Sequence, residues 1–178
     1  MREDEHGLST IALIVSILII SIIALGAMAT IFQVIRVTAQ SDSHMAALQQ
    51  VQNAGFWISR DARMADNVTA ENLSGTNFLI LSWTEVDDDD SDNTTEHTAT
   101  YFFEELSGGI GILKRNYSSS AGLNNETLVA KYICYDPDDS VNTSNVSYTS
   151  PSLTLKLVAI FDDTSETREY QVSCRPKL

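Results

Sequence analysis

The sequence predicts an α+β fold: a long N-terminal helix whose apolar first half projects and whose second half packs on an antiparallel β-sheet. Three observations predict it. Residues 11–35 form a run of 25 residues with no charge and no proline. Apolar residues then recur every three or four positions as far as Ala65. From Asn67 onward, short apolar stretches alternate with turn signals.

The first element is the apolar run. About 20 apolar residues cross a bilayer as a helix, and 25 at 1.5 Å each reach roughly 37 Å. Ile11, Leu13, Ile14, Ile17, Leu18, Ile20, Ile22, Leu25, Gly26, Ile31, Phe32 and Ile35 are the residues expected to meet lipid or neighbouring helices. Gly26-Ala27-Met28-Ala29-Thr30 is a small-residue patch of the kind that lets helices approach closely.

The second element continues the first. Met45, Leu48, Val51, Gly55, Ile58, Ala62 and Ala65 recur at steps of three and four, the stripe of an amphipathic helix. Only Gly26 and Gly55 interrupt residues 8–65, so one helix of about 58 residues, roughly 87 Å long, is expected. The boundaries read as a leader-like segment 1–7, an apolar helix 8–36, an amphipathic half 37–66 and a β domain 67–178.

The β domain follows. Strands are expected at 78–83, 99–105, 110–117, 128–135, 152–161 and 168–174, with an acidic loop at 87–92 and a turn at Ser107-Gly-Gly109. The connections are too short for crossover helices, which makes a sheet of five or six strands antiparallel. Its apolar face needs a cover. The helix residues Met45, Leu48, Val51, Ile58 and Ala62 are assigned to that role against Leu79, Leu81, Leu153, Leu155 and Leu157, or the opposite parity of those strands.

Composition narrows the function. The chain of 178 residues carries a net charge of −13, which argues against nucleic acid and against anionic lipid as a docking surface. Seven asparagines stand in N-x-S/T: Asn67, Asn72, Asn93, Asn116, Asn125, Asn142 and Asn145, which suggests a glycosylated extracellular surface. In that setting Cys134 and Cys174 invite a disulfide closing a loop of about 40 residues, the alternative being two buried free thiols. The acidic run fails the helix-loop-helix calcium pattern: counted from Asp88, the sixth residue is Asn93 and the twelfth Ala99. His6, His44 and His97 have no catalytic partner at motif spacing. No enzyme activity, cofactor or metal is expected.

Two segments carry a resemblance. Gly7-Leu-Ser-Thr-Ile-Ala-Leu-Ile14 resembles the junction of type IV pilin and pseudopilin precursors, in which a short polar leader ends in glycine before an apolar run. Phe56-Trp-Ile-Ser-Arg-Asp-Ala-Arg-Met-Ala65 is similar to the Arg-Asp segment of J-like minor pseudopilins. The resemblance implies cleavage between Gly7 and Leu8 by a prepilin peptidase. It also implies insertion in the membrane, then extraction by a pilus assembly machinery into a helical homopolymer of identical copies. The leader is acidic where pilin leaders are usually basic. Counted from Leu8, the fifth position is Ala12, where bacterial pilins usually have glutamate, and this tilts the resemblance toward archaeal-type pilins. The expected function is a structural subunit of a pilus-like surface filament serving adhesion or attachment. Two alternatives remain: a minor pseudopilin of a secretion system, and a single-pass membrane protein with an extracytoplasmic binding or sensory domain.

Overall fold

The computed structural model describes residues 4–70, 76–87, 90–136 and 142–175; at 4–9, 87, 90–93, 105 and 106 it describes the backbone alone. The chain divides into two compact units, Met1–Asp42 and Ser43–Leu178. Helix α1 spans Asp4–Met64, 61 residues, as expected of a segment without proline.

In the first unit, every residue from 10 to 42 is helical and exposed. Four of its hydroxyls bond within the helix. Ser16 donates to the Ala12 carbonyl at 2.8 Å, Ser21 to Ile17 at 2.7 Å, Thr30 to Gly26 at 2.9 Å and Thr38 to Val34 at 2.9 Å. Each reaches four residues back, so none of these groups demands water.

The second unit holds the rest of α1 and eight strands: β1 Asn67–Thr69, β2 Asn77–Asp87, β3 Asp90–Ser107, β4 Ile110–Ser119, β5 Asn124–Cys134, β6 Asn145–Thr149, β7 Ser152–Phe161 and β8 Thr164–Ser173. All pairings are antiparallel, in the order β1-β2-β3-β4-β5-β7-β6, with β8 also on β7. β7 therefore has two different edges. One pairs along its whole length with β8; the other meets β6 at Ser152–Lys156 and β5 at Ala159.

The core joins helix and sheet. Ala47, Val51, Ala54, Ile58, Ala62 and Ala65 form one buried cluster with Leu79, Leu81, Tyr101, Phe103, Leu113, Leu153, Leu155 and Leu157. The assigned contacts Val51, Ile58 and Ala62 are fully buried, and of the two parities left open the leucines take the inward one. Met45 is corrected: it is 60% exposed, and Leu48 is half-buried. The reason is helical phase. Ala47 stands 18 residues before Ala65, about five whole turns at 3.6 residues each. Met45 is two residues further back, about 200° round the helix, and faces away.

The sheet is larger than expected. β1 and β6 were not expected as strands, because they are short and lie in Asn/Ser/Thr-rich segments that read as loops. The acidic stretch is mostly strand: β2 runs to Asp87 and β3 starts at Asp90, which faces it across the hairpin. β8 begins at Thr164, where a turn longer than Asp162-Asp163 was expected; Asp162 has φ 50°, a conformation that aspartate tolerates better than most residues.

Candidate functional site

The apolar segment of α1 offers its side chains to the outside. Ile11, Leu13, Ile14, Ile17, Leu18, Ile20, Ile22, Leu25, Ile31, Phe32 and Ile35 are 53% to 72% exposed. A Cβ built on Gly26 would meet nothing within 4 Å. By length and composition this helix could cross a membrane, and its most apolar window buries nothing within the chain. The backbone of Gly7 and Leu8 lies in the first turns of α1, and their side chains lie outside the described residues.

The second segment is fixed to the sheet by a buried polar clamp. Asp61 falls on the apolar stripe and is 0% exposed. Its Oδ2 accepts from the Tyr101 hydroxyl at 2.6 Å and from Arg115 Nε at 2.6 Å. Its Oδ1 accepts from Arg60 Nε at 3.3 Å and Nη2 at 3.2 Å. Tyr101 and Arg115 stand directly opposite each other on β3 and β4, so the sheet presents both donors on one face. Burial, then the Asp61 carboxylate, push the Tyr101 phenol far above its ordinary value of 10.0. The phenol stays protonated and donates. A buried carboxylate is costly unless paired and hydrogen-bonded; here both oxygens are filled, and the clamp fixes which helix turn meets which strand pair.

The clamp extends into a stack of rings. The Arg115 guanidinium sits between Trp57 and Tyr117, 5.5 Å and 4.8 Å from their ring centres. Arg60 lies 4.3 Å over Trp57 from outside. Tyr117 shares a 2.6 Å hydrogen bond with His97 Nδ1, and the rings of His97, Tyr117 and Trp83 form a triangle with centres 5.4 Å to 6.1 Å apart. His97 Nε2 is 3.2 Å from Glu85 but out of line for a hydrogen bond. These contacts join the second segment of α1 to β2, β3 and β4. At the near end of the unit, Ser43 donates to Asp162 at 3.1 Å and His44 Nδ1 is 2.6 Å from Glu166, which ties α1 to the β7–β8 turn and to the start of β8.

The sequons are placed unequally. Asn67, Asn125, Asn142 and Asn145 are exposed. Asn116 is half-buried on β4, and its Oδ1 has no hydrogen-bond partner. Asn72 lies outside the described residues, as does the side chain of Asn93. Asn142 is exposed, yet Ser144, the hydroxyl residue of its sequon, is 1% exposed. Ser144 Oγ accepts from Val158 N at 2.9 Å, so the folded strand already uses it.

The disulfide expectation is corrected. Cys134 and Cys174 are both buried, and no disulfide joins them. Ile133 faces Ala159 of β7, whereas the Cys174 amide donates to the Pro151 carbonyl just before β7. The two cysteines thus sit beside opposite ends of β7, separated by about 23 Å of strand at 3.3 Å per residue. A disulfide needs Cα atoms within about 7 Å. Burial raises the Cys174 thiol above its usual range.

The sequence reading missed Asp61, Tyr101 and Arg115 as a unit. The signal was present: Asp61 is the one acid on the apolar stripe, and Arg115 is the charged residue on the inward parity of β4, between Leu113 and Tyr117. The chain matches no protein-family model, no curated protein and no solved structure.

Proposed function

We propose that the chain is a structural subunit of a type IV pilus-like filament, inserted in the membrane first and then assembled through its apolar helices at the cell surface, where it serves adhesion or attachment. One observation carries the reading. A single helix is buried from Ala47 onward against its own sheet, while its first 25-residue apolar run buries nothing. Exposing some ten large apolar side chains to water costs roughly 15–30 kcal/mol at 1.5–3 kcal/mol each. That surface therefore belongs in lipid or against copies of itself. The intrahelical hydroxyl bonds suit both settings, since a dry bundle can take helices that keep their polar groups to themselves.

Pilin-type processing, glycosylation of exposed sequons and engagement of an assembly machinery belong to the same proposal, with the resemblance of Gly7–Ile14 as their support. The role of major building block fits the many sequons better than a minor, J-like role does. The second reading, a single-pass membrane protein with an outward domain, is favoured by the same helix length. Terminal sequencing of the mature chain, with negative-stain microscopy of shed material, separates the two. A start at Leu8 and filaments containing the chain are expected. A chain retaining residues 1–7 and found only in membranes as a monomer would contradict the proposal.

A further inference from the structure

A groove of about 430 Å³ lies along the outer side of α1 beside β8, lined by Gln52, Gly55, Phe56, Ser59, Arg60, Arg63 and Tyr170. Its floor exists because residue 55 has no side chain. A Cβ there would stand 2.2 Å from Tyr170 Cζ, and the Tyr170 hydroxyl donates to the Val51 carbonyl at 3.3 Å. Its wall is Phe56, a large aromatic left 64% exposed. Its rim is cationic. Arg60 is committed to Asp61 and Trp57, but Arg63 is exposed and has no carboxylate partner among the described residues.

Charge is segregated around this groove. Over residues 45–65 the only acid is Asp61, which is buried, so Arg60 and Arg63 give that helix surface a positive sign. Residues 67–178 carry 18 acidic and seven basic side chains. Within that acidic surface, Glu85 and Val86 at the end of β2 combine a carboxylate whose side chain is 73% exposed with an apolar side chain that is 54% exposed. Successive strand side chains point to opposite faces, so an apolar slot rimmed by arginine fits this strand end when it enters edge-on, the valine on one side against Phe56 and Tyr170 and the carboxylate on the other against Arg63.

We propose that this groove is an interface between copies, in which a second copy seats the acidic Glu85–Val86 end of its β2–β3 hairpin between Phe56 and Arg63. The inference rests on the filament reading and adds a contact distinct from the apolar helix bundle. Groove and hairpin are different surfaces, so the contact is heterologous. Repeated from copy to copy without closing, it propagates an open helical polymer. It also offsets the self-repulsion of a chain of net charge −13, because each addition sets the positive helix surface against the negative sheet.

The test uses the full chain and its filaments. Arg63→Glu lowers filament yield about tenfold or more, and adding Glu85→Arg to it restores the yield. Arg63 is exposed, so Arg63→Glu leaves the thermal unfolding of the sheet unit unchanged, and Glu85→Arg alone is the control for the loss of the carboxylate beside His97. A photo-crosslinking residue at position 56 joins two copies, with the adduct within residues 83–96. Unchanged yield of Arg63→Glu filaments, no rescue by the charge swap, or an adduct on the neighbour's α1 would overturn the interface and leave the filament reading intact. A wild-type chain that forms no filament would remove both.

Discussion

The two halves of α1 share one helix and differ in how they answer the same demand. Between Ala47 and Ala65, apolar residues occupy one stripe, and the chain covers them with its own sheet. Between Ile11 and Ile35 they occupy the whole circumference, and within the chain they stay exposed. A stripe needs one partner, while a helix apolar all round needs a solvent or a bundle. The comparison teaches that one helix can be a folding element in one half and, in the other, leave an apolar surface that its own chain does not cover. What separates them is the placement of the few polar residues.

The largest test breaks the first half alone. Ile17→Asp or Leu18→Asp places a charge at mid-helix, where insertion costs about 2.5–3.5 kcal/mol. Filaments should vanish in microscopy, while the sheet unit keeps its far-UV spectrum and unfolding midpoint. Loss of both together would show that the halves are not separable.

Breaking the second half reverses the pattern. Asp61→Ala leaves Arg115 buried and unpaired and should cost about 3–5 kcal/mol in denaturant unfolding. Replacing the pair together, Asp61→Leu with Arg115→Met, should cost much less, because no buried charge is then left over. A smaller effect is expected for Gly55→Ala, about 1–3 kcal/mol, from the overlap with the Tyr170 ring. Tyr170→Ala should remove that penalty in a double-mutant cycle.

The pH profile sharpens the contrast further. The Tyr101 phenol titrates far above its ordinary 10.0 when folded, so the folded state binds the extra proton. Its contribution is fully present below pH 10.0 and is lost as pH rises beyond it. Unfolding free energy followed from pH 8 to 11 should fall at the alkaline end, and Tyr101→Phe should flatten that slope. The smallest effect is reserved for Met45→Ala, within about 0.5 kcal/mol, since this residue lies off the stripe.

Much of this division was legible beforehand. The uncharged run and the stripe identified one helix with two characters, and the alternation at Leu153, Leu155 and Leu157 identified the face that covers it. The phase of the stripe was less secure, because steps of three and four can be strung together in several ways. Ala65 fixes it, and Met45 falls outside. β6 was hidden because Asn145–Thr149 has a single buried apolar residue, Val146, and owes its strand to pairing with β7. The clamp was half visible in Asp61, but its partners are set by the β3–β4 register, which local sequence does not specify. The cysteines illustrate the same limit: an even pair suggests a bond, while the strand order places them at opposite ends of β7.

The central claim is that residues 11–35 are a surface for identical copies. Helical reconstruction by electron microscopy of detergent-free material purified from the cell surface tests it most directly. The account predicts a polymer with the apolar segments of α1 bundled about the axis and the sheets outside. A chain recovered only as a membrane-bound monomer, or a polymer with these segments on its outer surface, would contradict it.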